Sequence, residues 1–318
     1  MKSFKQGASR WGRRVLAALS LTVLGACGGG GSPIQAFAPT RIIAFGDEMS
    51  AITTQGQKYG INGINSATNL VDCTLDPNWV QSLAASFLLS FPQCDAIHSV
   101  VPLGIMYATN GAKVADAVQQ VNQHFSLNYF TSKDLVTMLV GMNDIIELYN
   151  AFPGQSQTAL IAQAKTRGTQ LGDLVNRIAQ AGGKVIVSTI PDMGTTPFAL
   201  TERLNKVDID RAAFLSSLSD AFNTAMRVEL INDGSLIGLV LLDQTTQSMA
   251  RYPSIYGMTN ATDQACLVTV TPINCTTNTL ANGATPTTYM WATNLLLSPG
   301  AQTQLANQAI SRAKNNPF

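Results

Sequence analysis

The stretch Arg41-Ile-Ile-Ala-Phe-Gly-Asp-Glu-Met-Ser50 decides the fold class of this chain. After Arg41 it is continuously apolar as far as Phe45, which is typical of a strand buried on both faces. Gly46 ends the run, and Asp47 and Glu48 follow it directly. Because α/β proteins place functional groups at the carboxyl ends of parallel strands, we expect a site at this point.

Further apolar runs alternate with longer segments of helical periodicity along the chain. The predicted strands are Arg41–Phe45, Leu135–Val140, Lys184–Ile190 and Leu236–Leu242. The predicted helices are Trp79–Phe91, Val114–Phe125, Gln157–Ala181 and Ile209–Ile231. This alternation predicts a single α/β domain with a central parallel sheet and helices on both faces.

The composition fits a large buried core and excludes some classes of partner. Of the 318 residues 46% are apolar and only 12% charged, against about 25% charged in average soluble proteins. The formal net charge is +1, but five of the 20 cationic residues lie in the first fourteen, where there is no acid. The rest has 15 cationic against 19 acidic residues, a formal net charge of −4. We therefore predict no basic groove for nucleic acid.

The N-terminus has the pattern of an export signal. The apolar run Val15–Gly25 has eleven residues, whereas a membrane span needs about 20. Leu24-Gly-Ala-Cys27 resembles the bacterial lipobox, in which the cysteine thiol is acylated and becomes the mature N-terminus. The alternative is an ordinary signal peptide with an incidental cysteine.

A glycine-rich tether follows Cys27, and Gly28 after the cysteine resembles lipoproteins that are sorted to the outer membrane. We expect residues 1–26 to be the signal peptide, 27–39 the lipidated cysteine with its tether, and 40–318 the folded domain. Acyl chains at Cys27 then hold the domain at the outer membrane of the cell envelope.

The other cysteines suit an oxidising compartment. They are Cys73, Cys94, Cys266 and Cys275. The pairing of Cys73 with Cys94 and of Cys266 with Cys275 is the simplest of three, because each bond closes a local loop; free buried thiols are the alternative. We predict no metal site, since the chain has two histidines and no Cys-x-x-Cys motif, and we expect no cofactor.

Five stretches, mostly at predicted strand ends, carry a family resemblance. They are Phe45–Ser50, Tyr107–Ala112, Val140–Asp144, Ile190–Pro197 and Tyr252–Asn260. In order and spacing they resemble the SGNH or GDSL family of lipases and acyl-ester hydrolases, over nearly all of residues 40 to 315. The resemblance implies the SGNH hydrolase fold, a flavodoxin-like three-layer sandwich, and an activity on acyl esters.

In that family the serine after Gly-Asp is the nucleophile, and an Asp and a His three residues apart near the C-terminus activate it. A serine hydroxyl attacks poorly until a base removes its proton, and the resulting tetrahedral anion needs preset donors. The resemblance assigns Gly111 and Asn143 to the oxyanion positions. It assigns Glu48 to the nucleophile position and Ser298 to the base position, so both attacking groups are substituted.

Other residues do not restore the attacking pair. Ser50 matches the second serine of the family pattern, and the 55 residues after Asp263 contain no Asp, Glu or His. We predict that His98 and His124 lie at the surface or cap helices. Four acids near strand ends are expected to cap or brace turns: Asp47, Asp144, Asp192 and Asp243.

Three functional hypotheses follow. In the first, the Glu48 carboxylate occupies the oxyanion positions from within the chain. The protein is then an impaired or non-catalytic lipoprotein that binds an acyl or glycan ester or a partner protein. In the second, it is an active acyl-ester hydrolase in which Glu48 attacks directly or activates a water. A purely structural envelope protein is a third interpretation, which predicts a cleft filled by side chains.

Overall fold

The computed structural model describes residues 36–99, 101 and 103–318. The predicted signal peptide and Cys27 lie outside these residues, as does most of the predicted tether. Residues Ala36–Phe318 form one compact unit. The Phe37 ring meets the rings of Phe87 and Phe318 edge to face, which fixes this end of the domain.

Five parallel strands form the central sheet in the order β2-β1-β3-β4-β5. Their bounds are β1 Arg41–Gly46, β2 Gly104–Met106, β3 Asp134–Leu139, β4 Lys184–Ser188 and β5 Ile237–Val240. In register, Ile43 of β1 lies between Ile105 of β2 and Val136 of β3. The strand order is the flavodoxin-like one, which confirms the predicted fold class.

Eight α-helices and a second, two-stranded sheet complete the described part of the domain. The helices are α1 Trp79–Ala85, α2 Val114–Leu127, α3 Met142–Asn150, α4 Gln157–Gln180, α5 Pro197–Asn205, α6 Arg211–Glu229, α7 Leu242–Arg251 and α8 Pro299–Asn315. The small sheet pairs β6 Asn260–Gln264 with β7 Tyr289–Trp291 in parallel. None of the described helices is long and apolar enough to cross a membrane.

The helices lie in two layers because β3 and most of β4 are buried on both faces. Helix α1 packs against α8 in one layer, and α2, α4 and α6 pack side by side in the other. Helix α1 ends at Ala85, six residues before its predicted end, because the chain turns through a left-handed Leu88 with φ 57°. The predicted disulfides Cys73–Cys94 and Cys266–Cys275 are both present.

Two glycines shape the chain where strands end at the candidate site. Gly46 has φ 130°, and a Cβ there would lie 2.0 Å from the carbonyl oxygen of Leu139. Gly141 also has φ 130°, and its Cβ would lie 2.4 Å from the ring of Phe222. No other residue type fits either position, so β1 and β3 end where the glycines allow a sharp change of direction.

Candidate functional site

The Glu48 side chain connects the ends of three neighbouring strands. It follows β1, and its Oε2 accepts a hydrogen bond of 2.8 Å from the backbone N–H of Gly111, after β2. The side-chain Nδ2 of Asn143, after β3, donates to the same oxygen at 3.0 Å and to Oε1 at 3.2 Å. The partly buried carboxylate therefore lies in a cradle of N–H donors, which we call the anion cradle: the Gly111 N–H and the Asn143 amide.

The backbone holds both donors in place. Gly111 has φ 76° with open space where a Cβ would be, so its conformation rather than crowding favours glycine there. Asn143 is the second residue of α3, and its Nδ2 also donates to the carbonyl oxygen of Ala112 at 3.1 Å. This contact orients the amide, and no motif in the sequence indicates it, because its acceptor is a backbone carbonyl.

The turn at Glu48 leaves one backbone donor without an acceptor among the described residues. The N–H of Asp47 donates to Leu139 O at 3.1 Å, that of Met49 to Asp47 Oδ1 at 3.0 Å, and that of Ser50 to Asp47 O at 3.0 Å. The N–H of Glu48 has no such partner within this part of the structure. A further N–H donor is therefore available at the nucleophile position itself.

Asp47 lies fully buried directly before Glu48. Its Oδ1 accepts the Met49 N–H, but its Oδ2 has no hydrogen-bond partner in the described structure. Burial raises the pKa of the Asp47 carboxyl well above its usual range, and the charge of Glu48 raises it further. The two adjacent carboxyl groups thus have opposite surroundings. The Asp47 carboxyl is buried away from water, whereas the Glu48 carboxylate accepts hydrogen bonds from N–H donors.

Asp144 ties the two donor-bearing loops together. Its Oδ2 accepts the N–H of Val114, the first residue of α2, at 2.9 Å, and its Oδ1 lies 3.2 Å from Arg167. Burial raises the Asp144 pKa, and the Val114 hydrogen bond and Arg167 offset part of this rise. Asp47 and Asp144 thus both brace turns, as we predicted from the sequence, and Asp144 fixes α3 relative to the Gly111 loop.

Ser298, assigned to the base position, lies in a separate hydrogen-bond network. It is fully buried and caps α8: its Oγ donates to the carbonyl oxygen of Tyr289 and accepts the Ala301 N–H at 3.3 Å. Ser50 is also buried, and its Oγ accepts the indole N–H of Trp79 at 3.1 Å. The structure thus brings Glu48 to the predicted donors and leaves both hydroxyls engaged elsewhere.

The surface position predicted for His124 is wrong. His124 is fully buried beside the rings of Phe45 and Phe130, and its Nδ1 lies 3.3 Å from the Tyr107 hydroxyl. Burial lowers the pKa of His124, and the positive charge of Arg41 lowers it further. The apolar stripe of α2 at helical spacing, which ends on this histidine, was the sequence signal that could have predicted its burial.

Neither histidine side chain forms a hydrogen bond with Glu48, Gly111 or Asn143 among the described residues. His124 lies ten residues beyond Val114, the start of α2, which is about 15 Å along a helix axis. His98 is exposed in a loop with φ 49°, in agreement with its predicted surface position. Across the described ranges there is also no group of three or more His, Cys, Asp or Glu that could hold a metal ion.

A groove of about 340 Å³ lies beside Gly111. The groove is lined mainly by side-chain amides and the Gly111 turn: Thr109, Asn110, Gly111, Ala112, Asp116, Gln119, Gln120 and Gln123. Glu48 and Asn143 are not among the lining residues, so this groove adjoins the cradle only at Gly111 and does not test the interpretation as a purely structural protein.

Comparisons with known proteins agree with the motif resemblance. A family model described as GDSL-like lipase/acylhydrolase matches residues 42–271. A comparison with curated proteins gives no match.

Several solved structures are similar to this chain. A member of the lipolytic protein G-D-S-L family from Veillonella parvula DSM 2008 has 12% identity and a TM-score of 0.42, covering 85% of this chain and 96% of its own. The lipase/acylhydrolase from Enterococcus faecalis has 14% identity and a TM-score of 0.40, covering 86% and 95%. An acetylxylan esterase from Geobacillus stearothermophilus has 13% identity and a TM-score of 0.42, covering 89% and 99%.

Proposed function

The chain belongs to the GDSL-like lipase/acylhydrolase family, and we propose that it is a binding member of that family with little or no hydrolytic activity. In this proposal Glu48 keeps the anion cradle occupied, and Glu48 and Ser298 stand where the nucleophile and the base would be. The ligand is an acyl or glycan ester, or a partner protein.

The observation that carries the proposal is the position of the Glu48 carboxylate. An acyl-transfer site needs N–H donors aimed at the oxyanion that forms when a carbonyl is attacked. Here Gly111 and Asn143 donate to a carboxylate that the chain itself supplies, at 2.8 and 3.0 Å. Charge-assisted hydrogen bonds of this kind contribute roughly 1.5–3 kcal/mol each, so a neutral ester carbonyl competes poorly for the same donors.

The surroundings of the cradle also offer no activated nucleophile. Ser50 and Ser298 are buried with their hydroxyls engaged, and no histidine forms a hydrogen bond with a serine in the described part of the chain. Direct attack by Glu48 would produce an anhydride, whose hydrolysis needs a base that the site does not supply. Loss of the nucleophile or the base in serine hydrolases lowers turnover by about 10⁶-fold.

The test of catalysis is the hydrolysis of short and long nitrophenyl esters by the purified mature protein. We expect rates at the solvent background for the parent, and no serine labelled by a fluorophosphonate probe. The Glu48→Ser, Ser298→His double variant is the companion, because it places a serine and a histidine at the positions that the resemblance assigns to the nucleophile and the base. Parent turnover above background that disappears in Glu48→Ala would contradict the proposal and favour an active hydrolase with a rearranged site.

The test of cradle occupancy is the binding of acetate, a small molecule with the same carboxylate group as the Glu48 side chain. We expect no acetate binding to the parent and saturable binding to Glu48→Ala, monitored at the Gly111 amide by NMR. Glu147→Ala is the matched control, because Glu147 lies on the same helix as Asn143 but pairs with Lys113 and Arg167. Acetate that binds neither Glu48→Ala nor the parent would show that the cradle is not an anion site.

We also propose that the domain is anchored as a lipoprotein of the outer membrane through Cys27. The support is the lipobox-like Leu24–Cys27 segment and Gly28 after it. Metabolic labelling with radioactive palmitate should mark the parent and not Cys27→Ser, and the variant should appear in the soluble fraction. A Cys27→Ser protein that stays with the outer-membrane fraction would contradict this anchor.

A further inference from the structure

A second groove, of about 600 Å³, lies between α5 and the segment that includes β6 and the Cys266–Cys275 loop. We call it the α5 groove. Its apolar lining comes from both walls: Pro197, Leu200, Leu204, Leu267, Val268 and Ala281. The volume is within the range of about 300–1,000 Å³ that is usual for small-molecule sites.

Large apolar side chains are unusually exposed on both walls of the α5 groove. The exposed fraction is 80% for Leu204 on α5, and 43% and 84% for Leu267 and Val268 on the opposite wall. Scattered exposed hydrophobic residues need no explanation, but a group of them facing one groove marks a site for an apolar ligand or partner.

The groove is formed before any ligand arrives, because hydrogen bonds and a disulfide hold both walls. The N–H of Phe198 in α5 donates to Asn294 O at 3.0 Å. On the other wall, the N–H of Cys266 donates to Ala292 O at 2.8 Å, and that of Leu267 to Thr279 O at 3.0 Å. The Cys266–Cys275 bond closes this wall, so binding requires little ordering of the chain.

One cation of the groove lining is available to a ligand. Arg203 lines the groove and forms no salt bridge or side-chain hydrogen bond with any described residue, and Lys206 follows one turn later. Asp263, which also lines the groove, accepts a hydrogen bond from Asn260 Nδ2 at 2.8 Å and forms no salt bridge with Arg203, and Glu202 accepts from the Tyr149 hydroxyl at 2.6 Å. A guanidinium group binds a carboxylate through two parallel hydrogen bonds.

From this combination we propose that the α5 groove binds one long-chain carboxylate. The hydrocarbon chain lies along Leu204, Leu267 and Val268, and the carboxylate pairs with Arg203. The inference rests on the proposed function in one respect: with Glu48 in the anion cradle, the ligand's carboxylate needs a cation elsewhere.

The first test is a chain-length series on the purified mature protein, using octanoate, decanoate and dodecanoate below their micelle-forming concentrations in calorimetry. Each methylene buried in an apolar site should tighten binding about fourfold until the groove is full. Equal affinity along the series would overturn the proposal, and so would adsorption to phosphatidylglycerol vesicles without saturable binding of the monomeric acids.

The second test assigns the two parts of the ligand. Arg203→Gln should lower the affinity for dodecanoate about tenfold or more and leave the affinity for dodecanol unchanged, because only the acid pairs with the guanidinium group. Leu204→Asp and Val268→Asp should lower the affinity for both ligands. Val228→Asp is the control: Val228 is also 80% exposed but does not line the groove, so it should change neither affinity. If the control loses as much affinity as the groove variants, the groove is not the site.

The outcome can be separated from that of the proposed function. Glu48→Ala should bind dodecanoate with the parent's affinity, because Glu48 does not line the α5 groove. A large gain in dodecanoate affinity in Glu48→Ala would place the carboxylate in the anion cradle and overturn the assignment to Arg203. Acetate binding to Glu48→Ala reports on the cradle alone, so either proposal can fail while the other stands.

Discussion

The backbone N–H of Gly111 donates a hydrogen bond of 2.8 Å to Oε2 of Glu48, a residue 63 positions earlier in the chain. This bond joins the loop after β2 to the turn after β1 and satisfies a donor at a left-handed glycine. Because Asn143 donates to the same oxygen, one carboxylate holds three strand ends together. The Glu48 side chain is therefore structural for the loops as well as an occupant of the anion cradle.

The first prediction is that Glu48→Gln loosens the Gly111 loop. The amide keeps the size of the side chain but turns one acceptor into a donor, which then faces N–H groups. We expect amide hydrogen exchange at Gly111 to speed up roughly ten- to hundredfold, as loss of a charge-assisted hydrogen bond implies. Glu147→Gln should leave this exchange rate unchanged. Full protection of the Gly111 amide in Glu48→Gln would contradict a bond that depends on charge.

The second prediction concerns the buried Asp47. A raised carboxyl pKa means that the folded protein holds a proton that the unfolded chain releases above about pH 4, so this group lowers stability as the pH rises. Asp47→Asn keeps the acceptor for the Met49 N–H and removes the titration. In urea unfolding, the stability of Asp47→Asn relative to the parent should increase with pH, by at most about 1.4 kcal/mol per pH unit. A constant difference from pH 4 to 8 would show that Asp47 is ionised in the folded state.

Much of the fold follows from the sequence because its strands are buried on both faces. A short, mostly apolar run bounded by glycine or proline identifies β1, β3 and β4, because its length and its flanking residues favour a strand over a buried helix. Strand β2 has only three residues, Gly104–Met106, and its identity depends on pairing with β1, which a local pattern does not contain. The early end of α1 likewise comes from the left-handed turn at Leu88.

The sequence predicts the site residues that belong to a motif, but it does not predict the contacts that those residues make in the folded chain. The motif resemblance matched Glu48, Gly111 and Asn143, and these three residues do meet. The contact of Asn143 with Ala112 and the dry environment of Asp47 depend on how three strand ends pack. That contact and that environment depend on residues far apart in the sequence, so residue types and local spacing do not predict them.

The third prediction is that His124 makes the protein sensitive to acid. Its lowered pKa means that below about pH 6.5 the unfolded chain gains a proton that the folded state does not hold, so stability falls as the pH drops. His124→Phe preserves the aromatic contacts with Phe45 and Phe130 and removes this loss. The decrease in unfolding free energy from pH 7 to 5 should be smaller in His124→Phe than in the parent. His98→Gln, at an exposed position, should behave as the parent does, and identical pH profiles for all three proteins would contradict the prediction.

Lys58 is a buried amine in the loop region between β1 and α1. Its Nζ donates to the carbonyl oxygens of Leu75 at 2.7 Å and Cys73 at 3.1 Å. Burial lowers the pKa of Lys58 to about 8, although the charges of Asp76 and Asp72 oppose the change. A neutral amine still has two N–H donors, so both carbonyls keep their partner when the proton leaves.

The fourth prediction is that stability rises with pH between about 8 and 10.5 because of Lys58. In this window the unfolded chain holds a proton that the folded protein has released, so the free energy of unfolding increases, by up to about 3 kcal/mol. Lys58→Met should abolish that rise, and at pH 7 it should lose about 1–3 kcal/mol by leaving the Cys73 and Leu75 carbonyls without a donor. Guanidinium unfolding of both proteins from pH 7 to 10.5 measures the difference in their free energies of unfolding. The contributions of the other titrating groups cancel in this difference. Parallel curves would mean that Lys58 keeps an ordinary pKa in the fold, and its two carbonyl contacts would then belong to a charged ammonium group.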